Sequence, residues 1–498
     1  MELIDLNYTY VIYLSIIPLF FYIYCRYKLN YWKRKGIQQL NNSHLIFGDF
    51  KNGILFRTPP GYYLGDIYRE APPDAPYVGF YIFHKPCLLL KDPEIIKQIL
   101  VRDFDKFPNR HFAGTQQKDS LGMVNLFGLK NPAWRYLRKK ITQTLTRGKL
   151  KQMIPLMMET GKPMMHYLKN NVGGNVDDLV IDVQELNYKY TADLIANVSL
   201  GTKTNSFAYP DSRYSKYLMD FFHSFKRMVA LVTVFFMPEL VDIIGSPMLF
   251  DSSLIYEIFN QAIEAREKSG ENRGDYIDSI IELKNGNQNP LYKFEGDNLL
   301  YQSGTFFSGF ESSSTAAAFT LMELARHQDY QHMAREDIKN AIDKHGWTIE
   351  AFAQMKYLDQ CISEGIRLHP SISTIDRLTL HDYKIPNTDI VIEKGTPIYI
   401  SLYGLHGDPQ FFEDPDVFNP MRFGNDSIVS DAYLPFGAGP RKCVGIKVGQ
   451  LHIKIVLSMI LSEYNVYQKS AEHYELDSRS TFTAAANGIN VKFTKLTN

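Results

Sequence analysis

The chain has 498 residues, 45% of them hydrophobic, enough material for a large core. Lys+Arg and Asp+Glu number 54 each, and a formally neutral chain does not ask for nucleic acid as a partner. The four cysteines, Cys25, Cys87, Cys361 and Cys443, form no C-x-x-C pair and are few for a disulfide-stapled secreted chain, which argues against a zinc cluster and for a reduced, cytosol-facing compartment.

No charge falls between Leu6 and Cys25. A helix of that length spans roughly 30 Å, the thickness of a hydrocarbon core, and Pro18 within it is tolerated in membrane helices. Glu2 and Asp5 precede the run, while Arg26, Lys28, Lys33, Arg34 and Lys35 follow it. The positive-inside rule then puts the N-terminus in the lumen and the body in the cytosol. A cleaved signal is the competing reading; the acidic start and the lack of a small-residue cleavage site oppose it. The expected organisation is a membrane anchor over 1–27, a basic linker and approach segment over 28–60, and one catalytic domain over 61–498.

Tyr77–Phe83 and Cys87–Leu90 read as a hairpin around His84-Lys85-Pro86. Asp92-Pro93 opens a helix, with Asp as the cap and Pro at the first position. From about 130 to 365 the pattern is mostly helical. The clearest segments are Trp134–Leu145, Leu179–Val198, Tyr214–Met228, Ser252–Lys268 and Asn298–His327, with breaks at Gly173-Gly174, Gly201 and 269–275. Beyond 376 short strands such as Ile390–Glu393 and Thr396–Leu402 alternate with Pro and Gly. A last helix is expected just after a Gly-rich loop, running to about Leu461. The predicted class is mainly α with small β-sheets.

That loop is Phe436-Gly437-Ala438-Gly439-Pro440-Arg441-Lys442-Cys443-Val444-Gly445. Its glycines allow tight turns and close backbone approach to a flat ligand. A helix N-terminus just beyond Cys443, with Arg441 beside it, predicts a lowered thiol pKa. A thiolate suits a soft, redox-active iron. Read alone, a lone cysteine beside a glycine turn would be structural.

The string fits F-x-x-G-x-R-x-C-x-G and resembles the cytochrome P450 superfamily, whose haem mode is cysteine-thiolate ligation. The resemblance implies a helical fold around a buried haem b, with Cys443 as the iron ligand and Phe436, Gly437 and Gly445 around it. It implies Trp134, Arg138, Arg377 and Arg441 at the haem propionates. Glu364 and Arg367 match the E-x-x-R element, and Arg422 in Phe418–Phe423 matches its later arginine. Met421 stands where the family usually has an acid. This triad is expected to be structural.

Gly309, Glu311 and Ser312 resemble the family's oxygen-binding kink. There glycine leaves room for oxygen, and the acid and alcohol deliver protons. The family usually has threonine at the position of Ser312, and serine is less restricted in rotamer. Phe127, Phe307 and Ile375 are the expected substrate contacts. The motifs around Pro76–Tyr81 and Leu100–Phe104 look like insect microsomal members of family six, similar to enzymes that clear plant toxins and insecticides. The implied activity is a monooxygenase of lipophilic compounds in the endoplasmic reticulum membrane. Electrons would come from NADPH through a flavoprotein, NADPH-cytochrome P450 reductase, with cytochrome b5 as an optional donor. A haem-thiolate isomerase or dehydratase, a hormone hydroxylase and a non-enzymatic haem sensor or carrier are the alternatives; Glu311-Ser312 argues against the first.

Overall fold

The computed structural model describes residues 16–113, 125–172, 179–244, 253–424, 430–468 and 474–496. The main helices are α1 (16–28), α2 (Pro60–Glu70), α3 (Ala133–Gln143), α4 (Arg147–Asn171), α5 (Val183–Leu194), α6 (Arg213–His223), α7 (Phe225–Phe236), α8 (Ser253–Ser269), α9 (Tyr276–Asn285), α10 (Asp297–Arg326), α11 (Gln328–His345), α12 (Lys356–Leu368) and α13 (Ile446–Glu463). The strands are β1 (Tyr77–Ile82), β2 (Lys85–Leu90), β3 (Leu179–Asp182), β4 (Thr374–Leu378), β5 (Tyr383–Lys384), β6 (Val391–Ile392), β7 (Pro397–Ser401), β8 (Tyr464–Tyr467) and β9 (Asn490–Lys495).

The hairpin β1–β2 forms as expected and extends into a mixed sheet of order β1-β2-β7-β4, in which β2 and β7 are parallel. A second sheet has the order β3-β9-β8, and β5 pairs with β6. Asp92 caps its helix by accepting from the backbone N–H groups of Glu94 (2.7 Å) and Ile95 (3.0 Å).

Two expectations for the helical region are corrected. Residues 179–198 are not one helix: β3 pairs with β9, and Asp182 turns the chain by capping α5 and accepting from Ile489 N–H at 2.9 Å. Residues 214–228 are split at Ser224, whose backbone is extended (φ −63°, ψ 124°). Helix α4 carries Pro155 and Pro163 in its interior, a pattern that sequence reading treats as a breaker.

No helix among the described residues is long and apolar enough to cross a membrane. The expected anchor starts at Leu6, and its residues up to 15 lie outside the described ones. In α1, Ile17, Phe20 and Ile23 are more than half exposed (64%, 67% and 54%). Within the 28–60 segment, Trp32 is fully buried on β1, its indole N–H donating to Phe80 O at 3.3 Å.

Two apolar cores meet at the centre. The helical core gathers α3, α4, α5, α10 and α13, with α10 running through it against α5, α12 and α13. The other surrounds the four-stranded sheet and takes in α7. Gly365 lets α12 lie close on α10, since a Cβ there would sit 2.4 Å from Thr320 Oγ1.

On α12, Glu364 (0% exposed) and Arg367 (1% exposed) form a two-pronged pair at 2.7 and 2.8 Å. Arg422 Nε donates to Glu364 at 3.2 Å, which completes the expected triad. Arg367 also donates to the carbonyls of His406 (2.9 Å) and Pro415 (2.7 Å). The His406 ring accepts from Leu434 N–H at 3.1 Å, and Leu434 O accepts from Gly437 N–H at 2.9 Å. The lock therefore reaches the cysteine loop through backbone groups. Burial, with Arg367 nearby, holds His406 neutral by lowering its pKa to about 3.

Arg367→Leu removes this hub and leaves Glu364 under-paired. The expected cost is about 3–5 kcal/mol, read as a lower denaturation midpoint of the full chain; a loss below about 1 kcal/mol would show that the pair is not holding the loop.

Candidate active site

The cysteine loop is shaped by two left-handed glycines, Gly437 (φ +71°) and Gly439 (φ +69°). A Cβ on Gly439 would sit 1.9 Å from Leu100 O, so only glycine fits this approach. Cys443 N–H donates to Phe436 O at 2.8 Å, and Lys442 N–H to Gly439 O at 3.0 Å. These bonds close the loop just before α13, for which Gly445 is the N-cap.

Cys443 keeps accessible surface, but that surface faces a cavity of about 320 Å³ at the junction of the two cores. Enclosure raises its thiol pKa, against the expectation of a lowered one. The backbone N–H of Gly445 and the Arg138 and Arg110 charges pull downward, and desolvation outweighs them.

The structure brings most of the predicted site residues to this one cavity. Phe436, Gly437, Arg441, Cys443 and Gly445 line it from the loop, and Trp134 and Arg138 from α3. Gly309, Glu311 and Ser312 line it from α10; Ile375 and Arg377 do so from β4, and Phe127 from the segment before α3. Phe307 lies on α10, but its side chain is outside the described part of the structure. Glu364, Arg367 and Arg422 stand away from the cavity, in the lock.

Four arginines face the cavity beside the loop: Arg110, Arg138, Arg377 and Arg441. The carboxylate among them is Asp376. Desolvation alone would raise it, but Arg110 Nη1 (3.2 Å) and Phe112 N–H (2.9 Å) hold it below the usual carboxylate range. Arg377 is 1% exposed, and its Nε has no hydrogen-bond partner. Burial, with Arg110 adding repulsion, lowers its pKa to about 9. Arg441 stacks on Trp134 at 4.1 Å and donates to Pro108 O (2.7 Å) and Leu129 O (2.8 Å). It thus ties the cysteine loop to the chain before α3 and is less available to a ligand than predicted. Arg138 donates to Lys442 O at 2.7 Å. Among the described residues, four arginines, two of them buried, surround one carboxylate, and such an excess of cations calls for an anionic partner.

On α10, Ser312 and Ser313 both donate to Gly309 O at 3.0 Å. Such back-bonding loosens a helix locally. A Cβ on Gly309 would meet nothing within 4 Å. Glu311, 5% exposed, accepts from Arg227 Nη2 at 2.5 Å.

Sequence reasoning missed Arg110, Asp376 and Arg227. Arg110 sits in an irregular segment without a recognisable pattern. Arg227 opens an apolar helix, and its only signal was a basic pair, Lys226-Arg227, ahead of that helix's apolar residues.

A mainly helical chain with a cysteine loop at one wall of a cationic cavity is the arrangement a haem-thiolate protein requires. The chain matches the family model "Cytochrome P450" over residues 68–493. It is 35% identical to "Cytochrome P450 6k1" of Blattella germanica, over 96% of this chain and 95% of that one. It is 33% identical to "Probable cytochrome P450 6g2" of Drosophila melanogaster, over 94% of each. The chain belongs to the cytochrome P450 family and is similar to its insect family-six members. The family uses haem, and the residues present fit it: the glycine loop offers a flat approach, Cys443 a thiol, and Arg377 a buried orphan donor for a propionate.

Arg377→Met removes the most buried of these cations, whereas Arg138→Met removes a half-buried one. Haem retention on dialysis is expected to fall about tenfold further for the first than for the second. Equal retention would mean that Arg377 does not hold the group.

Proposed function

We propose that this haem-thiolate monooxygenase inserts one atom of O₂ into lipophilic foreign compounds, with electrons from NADPH through a membrane-bound flavoprotein reductase. The observation that carries this reading is that Cys443 lines the same cavity as the acid and alcohol of Glu311 and Ser312. Held through Cys443, haem would supply the oxygen-activating chemistry of the family.

The chain's own residues supply the rest. Phe112, Phe127, Phe235 and Phe482 give the cavity apolar walls that desolvate and orient a substrate. Ring pairs Phe112–Phe127 (4.8 Å) and Phe112–Phe235 (4.7 Å) fix these walls. Ser312 Oγ and the Glu311 carboxyl, beside Gly309, are the groups that would hold and pass protons; in this structure Ser312 Oγ donates to Gly309 O and Glu311 accepts from Arg227.

Arg135, Lys139, Lys442 and Lys447 are exposed in and around α3 and the cysteine loop. They form the basic face on which an acidic reductase would dock, a contact that weakens with salt. The exposed apolar side chains of α1, followed by Arg26 and Lys28, support anchoring in the endoplasmic reticulum membrane with the body in the cytosol. Similarity to insect family-six members supports a foreign-compound role over hormone synthesis.

Reconstitution with reductase, NADPH and a panel of lipophilic compounds tests the reading; turnover that needs both NADPH and O₂ supports it, and turnover without them favours an isomerase. Ser312→Ala is expected to divert reducing equivalents from product to peroxide, lowering product per NADPH about tenfold or more, and Ser312→Thr to retain it. An unchanged ratio in Ser312→Ala would remove Ser312 from proton delivery.

A further inference from the structure

Two adjacent serines of the central helix α10 converge on one carbonyl. Ser312 Oγ and Ser313 Oγ both donate to Gly309 O at 3.0 Å. Their surroundings differ. Ser312 is half-buried at the cavity, whereas Ser313 is 4% exposed and meets α13. There His452, fully buried, places its Nδ1 2.6 Å from Ser313 Oγ. Tyr190 of α5 packs on the imidazole, with ring centroids 5.4 Å apart, and restrains its plane.

The direction of this contact follows from the protons. Burial lowers the His452 pKa to about 3, so the ring is neutral and one of its two nitrogens carries the hydrogen. Two oxygens at 3.0 Å attract each other only with a hydrogen between them. A carbonyl has none to give, so the Ser313 hydroxyl gives its own to Gly309 O. Ser313 Oγ then meets His452 as an acceptor, and Nδ1 is the nitrogen that holds the hydrogen. The chain of donors runs from His452 to Ser313 to Gly309 O.

This chain bears on Ser312. To pass a proton into the cavity, the Ser312 hydroxyl must leave Gly309 O, and a buried carbonyl that loses its donors is costly. Serine also lacks the β-branch that restricts a threonine rotamer, so the shared carbonyl is what restrains Ser312. We propose that His452 is a positioning residue for proton delivery: it holds the Ser313 hydroxyl on Gly309 O, so that Ser312 turns to the cavity without stranding that carbonyl. Without the imidazole, Ser313 turns away, Ser312 stays on the carbonyl, and fewer protons reach the cavity. The inference rests on the monooxygenase reading and adds to it a residue behind the cavity wall.

The first test reads the imidazole itself. Full-length holoenzyme with isotopically labelled histidine rings is examined by NMR in its reduced, carbon monoxide-bound, diamagnetic form. The His452 signal is the one lost in His452→Asn or, where that variant does not fold, in His452→Gln. The expected ring is neutral and protonated at Nδ1. A ring protonated at Nε2 instead would make Nδ1 an acceptor and overturn the proposal. The second test is product formed per NADPH consumed. His452→Leu is expected to lower this ratio about fivefold, the effect of one hydrogen bond, with the substrate KM unchanged. His452→Asn, which offers an amide N–H close to the position of Nδ1, should recover most of the loss. In a Ser313→Ala background, His452→Leu should lower the ratio no further. An unchanged ratio in His452→Leu, or an equal loss with and without Ser313, would overturn the positioning role. If the unaltered enzyme turns over with NADPH and O₂ while these variants do not separate, that role fails and the monooxygenase reading stands. If the unaltered enzyme oxidises no lipophilic compound, the monooxygenase reading fails and the positioning role with it.

Discussion

The buried pair Glu364–Arg367 is the contact on which the active site depends. Neither residue touches the cavity. Arg367 nevertheless binds two carbonyls of the 406–415 stretch, and the His406 ring passes that register to Leu434 and hence to Gly437. Tyr433, whose hydroxyl donates to Ser363 O at 2.9 Å, is a second tether from the cysteine loop to α12. A loop with left-handed glycines has little intrinsic preference for one shape. External hydrogen bonds from a rigid helix supply that preference, and they explain why a surface-type E-x-x-R spacing is buried here.

The cavity is organised by unequal charge. Beside Cys443 the cations outnumber the carboxylates, and Arg377 is left with an unpartnered Nε. Near α7 one cation and one acid neutralise each other. The first region is prepared for a permanently anionic group. The second is balanced in charge by its own pair. The same desolvation that lowers Arg377 also raises the Cys443 thiol, against the pull of the Gly445 N–H and of Arg138 and Arg110.

Motif-bearing parts of the molecule were legible through the family resemblance, whose motifs join residues close together in the chain. Gly437, Gly439 and Cys443 share one loop, Glu364 and Arg367 one helix face, and Trp134 and Arg138 one helical turn. Hairpin β1–β2 and the Asp92 cap were legible directly, from residues equally close together. What escaped depends on tertiary pairing. Residues 179–182 look helical until β9 offers an edge; helix α4 survives two prolines because its apolar face is buried in the core. Arg110, Asp376 and Arg227 acquire meaning only when segments far apart in the chain converge. Arg441 was read as a ligand-facing cation, but most of its donors go to backbone carbonyls.

The central claim is that Cys443, held by this loop, is the iron ligand. Its most direct test is the difference spectrum of the haem-supplied, reduced protein on adding carbon monoxide, recorded for the unaltered chain and for Cys443→Ala. The account predicts the strongly red-shifted Soret band of thiolate ligation in the first and its loss in the second, with the protein folded in both. A band at the position of neutral-ligand haem in the unaltered, folded chain, or a red-shifted band that survives Cys443→Ala, would contradict it.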